Sequence, residues 1–230
     1  MPYLNTSLFN RFPPVEISED LWSRLQGDRA SRQFMKKAFL TEQAQPIEHM
    51  IIVKQGCIKA MFMSADGNEF IFEILEAPAV FGYQALFSDV TEQWYPTLQA
   101  LTKVEAVFVP IREVEQLVDE DPGLLKCFYK CLLGNVVISS TLSFWSQRLN
   151  MLQKVAFALS LTGNIPKDKE GYVRITHENL ANFIGITRGN VTLSLSRLYE
   201  MGLIDKKHGK IKIKEQEAFH AFINSVVKDL

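Results

Sequence analysis

Cysteine is scarce in this chain, and long apolar runs are missing from it. Three cysteines in 230 residues are too few for a disulfide framework, and no apolar run reaches the ~18 residues that a membrane span needs. The first twenty residues also lack a basic segment followed by an apolar one, which is the pattern of a secretory signal. These absences favour a cytoplasmic protein with reduced thiols and no membrane partner.

Catalytic and metal-binding motifs are lacking as well. The sequence contains no nucleophile elbow, phosphate-binding loop, zinc-protease helix or paired-cysteine metal spacing. Its four histidines stand in no recognisable catalytic constellation. With 47% apolar and 22% charged residues, the composition is that of an ordinary globular protein. We therefore expect a chain that is not an enzyme and that carries no cofactor or metal.

The net charge of the chain is −1, but its charged residues are unevenly distributed along the sequence. Residues 1–147 carry a net charge of −6, residues 148–214 carry +7, and residues 215–230 carry −2. A basic block between two acidic ones indicates two domains and a polyanionic partner for the second.

Short strand-like runs occupy the region from about residue 33 to residue 110. They are rich in β-branched and aromatic residues, as in IFEIL at 71–75 and VEAVFV at 104–109. Asp66-Gly67 between two such runs is a strong hairpin signal. Several short strands with regular turns predict a small antiparallel barrel or sandwich, preceded by a short helix over 18–27.

Helical periodicity begins after Pro110. Residues 111–118 form a short amphipathic segment, and 122–149 form a long one in which Leu125, Phe128 and Leu132 recur at helical steps. The apolar stripe is wide enough for one side to pack on the barrel and another on a second copy of the chain. A helix buried wholly within a monomer is the alternative. A further helix covers 151–162.

The region 172–214 carries the clearest motif. Tyr172–Ile175 has the composition of a strand, and Thr176 suits the N-cap of a helix over 177–184. Gly185 ends that helix, and Thr187 caps a second one running from Arg188 to about Met201. Two helices joined by a tight glycine turn form a helix-turn-helix.

Two strand-like runs around His208-Gly209 follow this helix pair. They carry five lysines between 206 and 214 and predict a basic β-hairpin, the wing of a winged helix-turn-helix. This order of elements favours DNA binding. A winged helix used for protein interaction has the same core with an uncharged face, so a small-molecule-binding barrel with such a module is the alternative function.

The whole arrangement resembles the cyclic-AMP receptor and fumarate-nitrate regulator (Crp/Fnr) family. The resemblance rests on QGCIK at 55–59, SADGNE at 64–69, Phe81-Gly82 and the run 175–213. It implies an α+β protein with a cyclic-nucleotide-binding-like jelly roll, a long dimerisation helix and a C-terminal winged helix-turn-helix. It also implies a homodimeric transcription regulator that binds a palindromic site in double-stranded DNA, with RNA polymerase as a further candidate partner.

Three segments follow from this resemblance. We expect an effector-sensing β-barrel domain over 1–121, a dimerisation helix over 122–149 and a DNA-binding domain over 150–230. Cyclic AMP is not the expected effector, because family members that bind it have a Gly-Glu pair and a later Arg-Ser pair that hold the cyclic phosphate. Here Tyr83 follows Gly82, and Trp94-Tyr95 stands where the Arg-Ser pair would be.

Aromatic residues gather in sequence around that place. The candidate effector pocket consists of Phe81, Gly82, Tyr83, Phe87, Trp94 and Tyr95. One interpretation is a pocket for an aromatic or apolar small molecule, as in the branch that senses halogenated phenols. The other is a filled barrel in which the aromatics only pack.

Other sensor types of the family fit less well. The iron–sulfur branch uses several N-terminal cysteines, whereas the first cysteine here is Cys57. Haem branches need an axial ligand, and His49 is the sole histidine before residue 177. Cys127 and Cys131 stand one helical turn apart, which leaves a redox switch as an alternative to ordinary packing in the helix.

The second helix of the motif departs from the family's usual recognition sequence. Many members carry Glu at its second position and Arg at its sixth, but here these are Gly189 and Leu193. Arg188 matches the Arg that leads the helix in the cyclic-AMP branch, and Leu193 offers apolar contact to a thymine methyl. The expected DNA-binding residues are Thr176, His177, Thr187, Arg188, Gly189, Asn190, Thr192, Leu193, Lys206, Lys207 and Lys210. Among them, Thr176, His177 and the three lysines are expected on phosphates.

Overall fold

A computed structural model describes residues 19–43, 45–87, 96–162 and 167–224. Its helices are α1 (Glu19–Gln26), α2 (Ile111–Glu120), α3 (Pro122–Arg148), α4 (Met151–Leu161), α5 (His177–Ile184), α6 (Arg188–Glu200) and α7 (Gln216–Asn224). Its strands are β1 (Arg32–Phe34), β2 (Phe39–Thr41), β3 (His49–Gln55), β4 (Cys57–Met63), β5 (Glu69–Glu76), β6 (Ala79–Phe81), β7 (Thr97–Ala100), β8 (Val104–Pro110), β9 (Ile204–Lys207) and β10 (Lys210–Ile213). A 3₁₀ turn covers Tyr83–Phe87.

The first eight strands form two four-stranded antiparallel sheets. Their orders are β1-β8-β3-β6 and β2-β7-β4-β5, so consecutive strands mostly alternate between the sheets. This is the strand order of a jelly roll, which confirms the predicted α+β class. The predicted Asp-Gly hairpin joins β4 to β5, where Gly67 has a φ of +82° and its N–H donates to the Ser64 carbonyl at 2.9 Å.

The long helix α3 lies against this β-domain along one side. Leu124 and Phe128 are buried in a cluster with Met50, Val107 and Val109 of the β-domain. An adjoining side carries exposed apolar residues, with Tyr129, Leu133 and Val136 exposed by 54%, 56% and 55%. These three stand at i, i+4 and i+7, and so they form one stripe along the helix.

The C-terminal half has a core of its own, built from α4, α5, α6, α7 and the β9–β10 hairpin. Phe219 and Leu180 are fully buried in it, together with Val191, Leu195 and Leu198 of α6. The strand predicted over Tyr172–Ile175 is wrong. Val173 alone makes bridges, to Lys167 and Ile211, and its neighbours add no further ladder pairing among the described residues.

No helix in the part of the chain that the structure describes is long and apolar enough to cross a membrane.

Candidate nucleic-acid interface and effector region

The helix-turn-helix is fixed locally by its caps. The Thr176 hydroxyl accepts from the Asn179 N–H at 3.0 Å and begins α5, while the Thr187 hydroxyl accepts from the Asn190 N–H at 3.3 Å and begins α6. Gly185 between them has a φ of +74°, a left-handed conformation that glycine adopts without steric cost. The predicted caps and glycine turn are therefore confirmed.

The outer face of α6 is open to solvent. Arg188, Gly189, Thr192 and Leu193 are exposed, and Leu193 reaches 67%. Asn190 is half-buried. Most of the Leu193 side chain is therefore available for contact with a partner.

Two predicted polar contacts turn out to be engaged within the chain. The Thr192 hydroxyl donates to the Arg188 carbonyl at 3.0 Å and lies 2.9 Å from Nδ1 of His177. Partial burial, followed by the charges of Arg188 and Lys206, lowers the pKa of His177. These surroundings disfavour its charged form, and its ring contact with Thr192 links α5 to α6.

The wing lysines stand beside α6 as the sequence predicts, on either side of the His208-Gly209 turn. Lys206 and Lys207 lie on β9 and Lys210 on β10. Together with α5 and α6 they enclose a cleft of about 220 Å³. The cleft is lined by Ile175, His177, Leu195, Lys206, Lys207, Gly209, Lys210 and Ile211.

Carboxylates of the preceding loop already pair with two of these lysines. Lys207 Nζ lies 2.6 Å from Glu170 Oε2, and Lys210 Nζ lies 2.6 Å from Asp168 Oδ2. The hydrogen bond from Lys210 and those from the Tyr172 and Glu170 N–H groups lower the pKa of Asp168 to about 2. The loop thus supplies an internal anion to two of the wing lysines.

Tyr172 ties this loop to the hairpin. Its hydroxyl donates to Asp205 Oδ2 at 2.6 Å, and its ring lies under the Lys207 and Lys212 ammonium groups at 4.7 and 5.7 Å. Lys206 points elsewhere, donating to the Ser196 hydroxyl at 3.2 Å and lying 5.1 Å from the Tyr199 ring centroid. Sequence reasoning missed the role of Asp168, Glu170 and Tyr172, because nothing local connects them to a hairpin more than thirty residues away.

The candidate effector residues do not all face one space. Phe81 is buried in the interior cluster between the two sheets. Tyr83 instead stacks on Phe128 of α3, with ring centroids 5.4 Å apart and planes at 6°, and Phe87 contacts Tyr129 at 4.9 Å. Gly82 has a φ of +96°, and a side chain there would meet the His49 carbonyl at 2.9 Å. Trp94 and Tyr95 lie outside the described residues.

Glu73 is a residue of this region that the sequence analysis did not single out. It pairs with Ala60 across β4 and β5, and Ala60 belongs to the interior cluster, so the Glu73 carboxyl is directed inward. Burial raises its pKa to about 7. Its charge in turn helps to raise the pKa of Tyr83 and of Cys131, which places a titratable carboxyl near the contact between the β-domain and α3.

Cys127 and Cys131 of α3 are both partly buried in the cluster around Phe128. Burial, followed by Cys127 and Glu73, raises the pKa of Cys131 to about 11. A thiol with a raised pKa is a poor nucleophile. Within the described residues, no group of three or more His, Cys, Asp or Glu side chains is placed to hold a metal ion.

A jelly roll followed by a long helix and a winged helix-turn-helix defines a class of DNA-binding transcription regulators. Comparison with known families agrees. The cyclic nucleotide-binding domain family matches residues 31–121, and the Crp-like helix-turn-helix domain family matches residues 153–222. The chain belongs to the Crp/Fnr family of transcription regulators, whose members are regulators and not enzymes.

Individual relatives are distant. The chain is 26% identical to the global nitrogen regulator of Synechocystis sp. over 173 residues, which cover 73% of this chain and 77% of that protein. Its fold is similar to that of FixK2 from Bradyrhizobium japonicum, with a TM-score of 0.71 and 16% identity over 84% of this chain and 96% of the other. It is also similar to that of the c-di-GMP-responsive regulator CLP of Xanthomonas campestris, with a TM-score of 0.72 and 15% identity. That match covers 85% of this chain and 98% of the other.

Proposed function

We propose that this regulator acts as a homodimer on a palindromic DNA site and responds to a small effector other than cyclic AMP. In this proposal, residues 1–121 sense the effector, 122–149 dimerise, and 150–230 bind DNA in the cytoplasm. RNA polymerase is a candidate partner of the DNA-bound dimer. The observation that carries the proposal is the open face of α6, which begins with an exposed Arg188 beside a lysine-bearing hairpin.

The roles of the individual residues follow from chemistry. Arg188 can bond guanine O6 and N7 with both ends of its guanidinium, and Leu193 can contact a thymine methyl. Thr176 and Thr187 stand at helix N-termini, where backbone N–H groups favour a phosphate. Gly189 and Asn190 lie in the first turn of α6, which in helix-turn-helix proteins faces base edges.

Selection from random-sequence DNA tests the DNA-binding proposal. We expect the enriched sequences to contain two inverted half-sites whose centres are about one helical turn, or ~34 Å, apart. Enrichment of a single unrepeated half-site would contradict the dimeric mode. Failure to enrich any sequence, with binding instead to a protein partner, would favour the interaction-module alternative.

The loop carboxylates provide a separate prediction about the wing. Replacing a lysine that contacts one phosphate normally lowers the slope of log K against log salt by about one unit. Glu170 already neutralises part of the charge of Lys207. We therefore expect Lys207→Ala to lower the salt slope by less than one unit. Glu170→Gln should have the opposite effect, raising affinity for all DNA sequences alike, together with the salt slope.

Fluorescence anisotropy titrations over a range of salt concentrations measure both quantities. Glu115→Gln removes the same charge from an exposed position on α2 and is the matched control. Equal effects of Glu170→Gln and Glu115→Gln would mean that the loop does not compete with phosphate for the wing.

A further inference from the structure

Strand β4, which lies between β7 and β5, is buried on both of its faces. Ile58 and Ala60 point into the interior cluster, so Cys57, Lys59 and Met61 point to the opposite side. All three are nevertheless buried, and Lys59 is only 3% exposed. Something other than the β-domain therefore covers this face.

At Cys57, the cover is the DNA-binding half of the same chain. Cys57 belongs to the hydrophobic cluster of the C-terminal half, and Ile74 of β5 packs against that cluster. Phe183 and Ile184, in the last turn of α5, pack against the same cluster. Helix α5 and strand β5 also contact each other directly, and a hydrogen bond from Asn182 to Glu69 places this contact at the C-terminal end of α5.

A short polar chain crosses this contact. Glu69 Oε2 lies 2.5 Å from Lys59 Nζ and accepts a hydrogen bond from Asn182 Nδ2 at 3.3 Å. Taking an ammonium group out of water is costly unless a carboxylate pairs with it, and loss of that partner leaves an uncompensated buried charge. Glu69 is therefore needed within the β-domain as the partner of Lys59. The same oxygen joins the β-domain to α5 through Asn182.

The far end of α5 remains free for DNA. Thr176 at its N-cap and Arg188 at the start of α6 are exposed. The two helices share a core in which Leu180 of α5 and Val191 of α6 are fully buried. Because such packing makes the pair a rigid unit, whatever fixes the last turn of α5 also fixes the direction of α6.

We propose that Glu69 is a positioning residue for the recognition helix. By holding Lys59 and Asn182 together, it sets the angle at which the barrel presents α6 to DNA. This role rests on the proposed DNA-binding function. In a dimer, the angle decides whether both recognition helices reach half-sites at one fixed spacing.

Strand β5 gives this contact a link to the sensor. Phe72 and Leu75 pack into the interior cluster from one face of the strand, while Ile74 packs against the DNA-binding half from the other. A displacement of β5 by an effector inside the barrel thus reaches α5 within one chain, without passing through α3.

Cys57 is a built-in reporter of the contact, because its thiol is buried there. In a Cys127→Ser, Cys131→Ser background, labelling by an aromatic disulfide reagent then follows exposure of Cys57 alone. We expect Asn182→Ala and Glu69→Gln each to accelerate labelling at least tenfold under native conditions. Asn179→Ala, the same change on the same helix without the Glu69 contact, should leave the rate unchanged. Equal labelling rates in the parent background and in all three variants would contradict the proposed contact.

The positioning role has its own readout. Using the operator selected above, affinities are compared for the native spacing, for a variant with one inserted base pair, and for an isolated half-site. Asn182→Ala should reduce discrimination between the two spacings at least threefold and leave half-site affinity unchanged. Undiminished discrimination would overturn the positioning role alone. Absence of any sequence preference in the parent protein would overturn the DNA-binding proposal and the positioning role together.

Discussion

Leu133→Glu should convert the protein into a monomer and lower its affinity for a two-half-site operator at least a hundredfold. Tyr129, Leu133 and Val136 present an exposed apolar stripe on α3, beside the side of the helix that packs on the β-domain through Leu124 and Phe128. A second copy of α3 covers such a stripe by packing knobs into holes, and a glutamate in its centre would be desolvated without a partner. Loss of the dimer removes the gain from binding two linked sites, which is about 10²–10⁴-fold.

Sedimentation equilibrium at micromolar concentration measures the first part of this prediction, and titration of the operator measures the second. Gln116→Glu introduces the same charge at an exposed position of α2 and should leave the dimer intact. Affinity for a single half-site should be unchanged in the Leu133 variant. A Leu133→Glu protein that remains dimeric would exclude this stripe as the dimer contact.

Arg188→Ala should weaken the free energy of binding to the selected operator by about 1–3 kcal/mol. It should also relax the base preference at one base pair of each half-site. Arg188 is exposed in the first turn of α6, next to the Thr187 cap, and this part of a recognition helix faces the floor of the major groove. The alternative is that Arg188 binds a phosphate.

Titration of operators with single substitutions separates the two roles. A base-reading arginine produces a loss that is confined to operators with the preferred base, whereas a phosphate-binding arginine weakens all operators alike. Arg197→Ala, at an exposed position near the end of the same helix, controls for the loss of one positive charge. An equal loss on every operator in the Arg188 variant would assign that residue to phosphate.

The helix-turn-helix could be predicted in detail because its determinants are local. Thr176, Gly185 and Thr187 act on backbone groups within three or four residues of themselves. Their positions in the sequence therefore locate the ends of both helices. The β4–β5 hairpin is predictable for the same reason, since Asp66-Gly67 fixes its turn. The long helix α3 follows from periodicity over twenty-seven residues.

Contacts between distant segments could not be predicted. Asn182 and Glu69 are 113 residues apart, and neither belongs to a motif that signals the other. Lys207 and Lys210 have the composition of a phosphate-binding wing, yet their partners Glu170 and Asp168 depend on how the preceding loop folds back. Tyr83 follows Gly82 where effector contacts are expected, but it stacks on α3 because the 3₁₀ turn carries it there.

The docking of α5 on β5 affects how this protein can be recombined with its relatives. A chimera joined near residue 150, at the apparent boundary between the sensing and DNA-binding halves, would separate Glu69 from Asn182 and expose Cys57, Lys59 and Ile74 to a foreign surface. Exchange of sensors would therefore have to carry the last turn of α5 along with the barrel. In the proposed function, the unit that senses the effector would thus include three residues, Asn182, Phe183 and Ile184, that lie inside the helix-turn-helix.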